Sequence, residues 1–189
     1  MKCKQLTNFK NIIQPVFILP LLFFMIFATN ITYAQTFGAG KFDANVPFGN
    51  QTSLSIATGG NVTINITPSG TSTLGTGNNA VTITSTDVVG YKLYLNAVSS
   101  TNLTKGANTI PASANVTPAA LAVNTWGYNT DGSSNFTGIT GTAALILSAT
   151  GPFETGNLTT FTYGVKVDSS QTAGSYTTTV VYTAVPQSN

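Results

Sequence analysis

Alternation of apolar and small polar side chains is the feature that most limits how this chain can fold. Val62, Ile64 and Ile66 are separated from one another by polar residues, and the same alternation runs through residues 161–168. Successive side chains of a β-strand lie on opposite faces, so each segment predicts a strand with one buried face. No segment combines the i, i+3, i+4, i+7 spacing of an amphipathic helix with a charged face. The sequence therefore predicts an all-β fold.

Further short strands are predicted between residues that favour turns. Gly59-Gly60 and the Gly- and Asn-rich residues 75–79 are two of these turn signals. The longest strand is expected within residues 176–185, and residues 98–118 are expected to form a loop that crosses between sheets. Strands at this spacing, without helices between them, predict a single antiparallel β-sandwich over residues 51–189, either Ig-like or jelly-roll-like. The other strand markers are Leu54, Ile56, Val81, Ile83, Tyr91, Leu93, Leu95, Leu145 and Leu147.

The first 34 residues have the order of a secretory signal peptide. Three lysines precede an apolar run at residues 12–28, and Thr32-Tyr33-Ala34 places small residues at the −3 and −1 positions of a cleavage site. This order predicts a signal helix that is removed after Ala34, with an uncleaved membrane anchor as the alternative. Residues 35–50 have little pattern and are expected to form an N-terminal extension or a first edge strand. The predicted location is secreted, at the cell surface or in the cell wall.

Charged and reactive side chains are scarce in the chain expected after cleavage. Charged residues make up 6% of the sequence, where about 25% is ordinary. Four lysines against five acidic residues leave a formal charge of −1, so no nucleic-acid partner is expected. There is no His or Arg, and the single Cys, Cys3, lies in the signal peptide. Without these acid–base, nucleophilic and metal-ligating groups we expect no enzyme activity, no cofactor and no metal.

Trp126 and the polar loop 129–135 could each have either a binding role or a purely structural role. Trp126, with Tyr128 two residues later, is expected either in the core or on the surface as an aromatic platform that stacks on sugar rings. Residues 129–135 are rich in side-chain oxygens that could bind Ca²⁺. They lack the closing Glu of an EF-hand loop, so a solvent-exposed turn is expected there.

Two segments resemble the paired motifs of cell-surface WxL-domain proteins. Residues 87–93, Asp-Val-Val-Gly-Tyr-Lys-Leu, resemble the first motif, in which an acid leads into Gly-Trp-x-Leu. Residues 173–186, which begin Ala-Gly-Ser-Tyr and end Tyr-Thr-Ala-Val-Pro, resemble the second. Tyr replaces the signature Trp in both motifs, and Ala184 replaces the second Leu.

The WxL-like resemblance implies a non-catalytic bacterial protein attached non-covalently to peptidoglycan. Tyr91, Leu93 and Tyr182 occupy the motif positions, and with Trp126 and Tyr128 they are the candidate contacts to the wall or to a surface glycan. Two other functions stay open. One is a subunit of a self-assembling surface fibre or layer, in which the terminal strand or the N-terminal extension is exchanged with copies or other surface proteins. The other is a carbohydrate-binding adhesin, which rests on Trp126 and the tyrosines. The C-terminal strand is also similar to the closing strand of many fimbrial and adhesin sandwiches.

Overall fold

A computed structural model describes residues 53–187 of the 189-residue chain, which form an all-β structure. The predicted signal helix, the cleavage at Ala34 and the extension 35–50 lie outside these residues. Within 53–187 no helix is long and apolar enough to cross a membrane. The described strands are β1 (Ser53–Thr58), β2 (Thr73–Thr86), β3 (Gly90–Val98), β4 (Leu103–Lys105), β5 (Asn108–Ile110), β6 (Thr125–Asn129), β7 (Ala144–Thr150), β8 (Phe153–Val167) and β9 (Thr179–Gln187).

Seven of these strands form two antiparallel sheets. Sheet A has the strand order β1-β2-β8-β6, sheet B has the order β7-β3-β9, and β4 and β5 form a separate hairpin. The long strands β2 and β8 pair from Thr73 opposite Val167 to Ser85 opposite Phe153, with one irregularity in register after Ile83. This arrangement is consistent with a β-sandwich.

The core is built from the alternating apolar side chains of both sheets. Ile83 of β2, Leu93 of β3 and Phe161 of β8 have no exposed surface and belong to one cluster. Complete burial of such a side chain contributes about 1.5–3 kcal/mol. The strands predicted at Val81 and Ile83 and at the β3 markers are therefore confirmed, and these side chains lie in the core.

A second buried site lies under the loop that precedes β7. Phe136 is fully buried, and a Cβ added to Gly164 would lie 2.5 Å from its ring. The loop is fixed to β6 by hydrogen bonds between the backbones of Tyr128 and Thr137. Asn115 also donates to the Phe136 carbonyl oxygen, at 3.0 Å. Glycine in β8 thus leaves the space that a buried aromatic ring occupies.

Three local predictions were wrong, and two of them concern residues within or packed on β2. Residues 75–79, expected as a turn, lie inside β2 and pair with β8, with Gly75 opposite Val165. Residues 61–67, expected as a strand, form no β-ladder. Residues 98–118, expected to be irregular, contain the hairpin of β4 and β5.

The glycines of β2 explain the first two differences. A Cβ on Gly75 would lie 2.5 Å from Cγ1 of Ile66, and a Cβ on Gly77 would lie 2.7 Å from Cγ1 of Val62. The segment 61–67 therefore lays its apolar side chains on the face of β2 where the glycines leave room. It keeps the alternation of a strand, but packs across the sheet instead of pairing beside it.

Candidate functional site

A groove of about 690 Å³ opens at one side of the two sheets. Its walls are residues 60–64 and residues 176–180 together with Tyr182, and the buried side chains of Trp126 and Tyr163 lie at its floor. Ligand pockets in proteins are commonly about 300–1,000 Å³. The groove is therefore large enough for part of a ligand or of another chain.

Asn79 sets the position of the first wall. Its side chain is largely buried and accepts a hydrogen bond from the Gly59 backbone N–H at 2.8 Å. Its amide nitrogen donates to the Gly60 carbonyl oxygen at 2.9 Å. Gly60 has a φ of 88°. Glycine adopts such a positive φ readily because it lacks a Cβ atom. These contacts turn the chain out of sheet A directly after β1, so that residues 60–64 become a wall of the groove and not a continuation of β1.

The second wall combines residues 176–178 with the start of β9, a strand at one edge of sheet B. Among the described strands β9 pairs only with β3. In an antiparallel pair, alternate residues direct their N–H and C=O groups away from the partner, so an edge strand presents unpaired donors and acceptors. Proteins commonly protect such edges with charged residues, but β9 has the sequence TVVYTAVPQ and contains none. Pro186 is the one residue of β9 that cannot donate a backbone hydrogen bond.

Two tyrosine hydroxyls meet where the groove joins the core. The Oη atoms of Tyr163 and Tyr182 are 2.6 Å apart, and the ring of Tyr182 lies 4.8 Å from that of Phe161 between centroids. Burial raises the pKa of both tyrosines above the ordinary value of 10.0. Both phenols therefore stay neutral near pH 7. None of the described residues that line the groove carries a charge at that pH.

Four of the five candidate wall or glycan contacts lie in the core. Tyr91 and Leu93 have no exposed surface, and Trp126 and Tyr128 are exposed by only 2% and 9%. Their burial supports the core interpretation of these residues. A surface contact stays a prediction for Tyr182, which is half-buried and lines the groove.

The polar groups of the buried aromatic residues have partners inside the protein. The Tyr91 hydroxyl accepts a hydrogen bond from Nδ2 of Asn157 at 2.8 Å, and burial nevertheless raises the pKa of Tyr91. Nε1 of Trp126 donates to the Thr101 carbonyl oxygen at 2.9 Å. The Trp126 ring also lies 6.4 Å from that of Tyr163. Trp126 therefore supports the floor of the groove and does not present a free platform for sugar rings.

The polar loop 129–135 uses its oxygen atoms for its own hydrogen bonds. The buried Asn129 donates to the carbonyl oxygens of Ser133 and Asn135, both at 2.9 Å. Asp131 accepts from the Ser133 backbone N–H at 3.0 Å, and hydrogen bonds from Ser133 lower the pKa of that carboxyl. The described residues contain no cluster of three or more His, Cys, Asp or Glu side chains that would suit a metal.

Comparison with known proteins found no match: no family model, no curated protein and no solved structure corresponds to this chain. The WxL-like resemblance therefore stays a prediction.

Sequence reasoning missed the groove. The available signals were Gly59-Gly60 at the end of β1 and the glycines at 75 and 77. The turn predicted at Gly59-Gly60 does redirect the chain, whereas the glycines at 75 and 77, predicted as part of a turn, accommodate neighbouring side chains.

Proposed function

We propose that this chain is a non-catalytic, exported structural protein of the bacterial cell surface, joined to its surroundings by an extended strand that lies in the groove. The proposal rests on one observation: no β-ladder joins the two walls of the groove. Among residues 53–187, residues 60–64 belong to no ladder and β9 has a strand partner on one side only. An added strand would hydrogen-bond to β9 and place its alternate side chains on the groove floor.

The chemistry of the groove supports binding without catalysis. Its described lining consists of apolar, hydroxyl and amide side chains and glycine. The raised pKa values of Tyr163 and Tyr182 keep these groups from acting as bases near pH 7. A neutral, partly apolar polymer suits this lining better than a charged one, because a charge moved out of water needs a partner.

We also propose that the sandwich is of the Ig-like kind. Four strands in one sheet and three in the other give the strand number of an Ig constant-type domain. A jelly roll has eight strands in two sheets.

Attachment to peptidoglycan is the second candidate, and the position of Tyr182 favours it. Tyr182 occupies the second WxL-like motif and lines the groove, so a glycan strand in the groove would contact it. Sedimentation of residues 35–189 with washed cell walls tests this candidate. Saturable binding that soluble peptidoglycan competes away, and that Tyr182→Ala weakens, would support it.

The proposed function is tested by a pair of lysine substitutions on β9. Val180 lines the groove, whereas its neighbour Val181 is on the opposite face and 38% exposed. We expect residues 35–189 to self-associate and Val180→Lys to weaken the association by about tenfold or more, because an unpaired charge in the groove would lose its water. Val181→Lys should leave the association near the wild-type level. Sedimentation velocity over a range of protein concentrations measures both effects.

Val180 also packs against the core, so thermal unfolding must show that Val180→Lys remains folded. If that variant is unstable, Thr63→Lys replaces it, at an exposed position on the other wall of the groove. A wild-type protein that stays monomeric at high concentration, without binding to cell walls, would contradict the proposed function.

A further inference from the structure

The lining of the groove limits which side chains an added strand can carry. Six residues, 176–180 and 182, line one wall, and Thr179, Val180 and Tyr182 of these belong to β9. A strand added here has one face on the apolar and aromatic floor, so its alternate residues must be uncharged and mainly apolar. Its other face points away from the floor and tolerates polar residues.

The chain itself contains a segment of this kind outside the described residues. The N-terminal extension has little pattern as a whole, but residues 42–48 read Phe-Asp-Ala-Asn-Val-Pro-Phe. Apolar residues stand at 42, 44, 46 and 48, and the only charge, on Asp43, falls on the other face. Pro47 of the segment is compatible with an edge position, where one backbone N–H is not needed.

Strand direction favours a segment from another molecule. β1 runs antiparallel to β2, and only residues 87–89 connect β2 to β3, so the chain reverses there and β3 follows the direction of β1. β9 runs opposite to β3. Only four residues separate residue 48 from Ser53, so the connection to β1 restricts the direction of a molecule's own segment, whereas a neighbour's segment has no such restriction. A segment from a neighbour can run antiparallel to β9, which is slightly more stable per residue.

We propose that residues 42–48 of a neighbouring copy occupy the groove as an added strand antiparallel to β9. This inference rests on the proposed function and names its partner, a second copy of the chain. Each molecule then inserts its own segment into a neighbour's groove and binds a neighbour's segment in its own groove. Such a head-to-tail contact builds open-ended assemblies, unless the rotation between copies closes a ring.

Variants within residues 42–48 test the proposal and leave the sequence of the described residues 53–187 unaltered. Val46→Asp places a charge on the groove-facing side of the segment, and Asn45→Asp places the same charge on the other side. In sedimentation velocity of residues 35–189, we expect Val46→Asp to weaken self-association by about tenfold or more. Asn45→Asp should remain close to wild type. A synthetic peptide of residues 41–49 should dissociate the wild-type assembly.

Mixing two defective variants shows whether the strand comes from a neighbour. Val46→Asp keeps an intact groove, and Val180→Lys keeps an intact segment. Labelled with different fluorophores, the two should form a one-to-one complex, although each alone is monomeric. If each is monomeric and the mixture forms no complex, the proposal of a neighbouring donor is overturned.

Failure of this inference is distinguishable from failure of the proposed function. If Val180→Lys prevents assembly and Val46→Asp does not, the groove is used but residues 42–48 are not its occupant. If soluble peptidoglycan displaces the bound partner and the peptide does not, a glycan occupies the groove and the inference is overturned. Loss of assembly only in Val46→Asp and Val180→Lys, with recovery in their mixture, supports both proposals.

Discussion

The hydroxyl groups of Tyr163 and Tyr182 join the core to the groove by one hydrogen bond. Burial, the largest cause, raises the pKa of each above 10.0, so the folded state retains protons that the unfolded chain releases above about pH 10. The stability from these groups is complete below that pH and is lost as the pH rises further.

We therefore predict a melting temperature that falls as the pH is raised above about 10. Tyr163→Phe removes the more deeply buried of the two titrating groups, so its melting temperature should fall less over the same range. Circular dichroism at a series of alkaline pH values measures both curves. Parallel curves for the variant and the wild type would contradict this account.

The contact between Gly164 and Phe136 gives a second prediction for single residues. A Cβ at position 164 would lie 2.5 Å from a ring with no exposed surface. Gly164→Ala should therefore destabilise the fold by about 1–3 kcal/mol, the usual cost of overpacking. Urea unfolding followed by the fluorescence of the single Trp measures the change.

Two further variants check the cause of that effect. Gly141→Ala is the matched control, because no atom lies within 4 Å of the added Cβ. Phe136→Leu should reduce the cost of Gly164→Ala in the double variant, since the effects of substituting contacting residues are not additive. If Gly164→Ala costs the same with and without the Phe136→Leu substitution, the ring is excluded as the cause.

At the scale of elements, residues 61–67 and β2 have similar alternation but different backbone environments. Residues 81–85 lie in β2 between β1 and β8, whereas residues 61–67 belong to no ladder. We predict that amides of 61–67 exchange with deuterium much faster than amides of 81–85 in the monomer. Hydrogen-exchange mass spectrometry measures both segments. Equal protection in a monomeric sample would mean that 61–67 is paired.

At the scale of the whole molecule, the uncharged groove predicts how the assembly responds to salt. Association that depends on apolar contacts and backbone hydrogen bonds should vary little between low and high concentrations of sodium chloride, because there are few charges to screen. Sulfate should strengthen it, since sulfate favours burial of apolar surface. Sedimentation at matched ionic strengths measures both responses. A strong weakening by sodium chloride would indicate a charged interface elsewhere.

The sequence by itself determined the fold class and most strand positions. Alternation placed residues in β1, β2, β3, β7, β8 and β9, because the period of side chains along a strand is a local property. The same alternation identified Tyr91, Leu93 and Phe161 as candidates for a buried face, and they are buried. It was also sufficient to suggest a sandwich instead of a helical fold.

Tertiary structure decided which strands have a partner on both sides, and therefore where a site exists. Alternation at 61–67 predicted a strand, but glycines in β2, at 75 and 77, take its side chains onto the face of the sheet. Likewise, the two motifs at 87–93 and 173–186 have similar sequences, but Tyr91 of the first is buried and Tyr182 of the second borders a groove. Pairing, burial and open edges depend on residues distant in the sequence, and a local pattern carries no information about those neighbours.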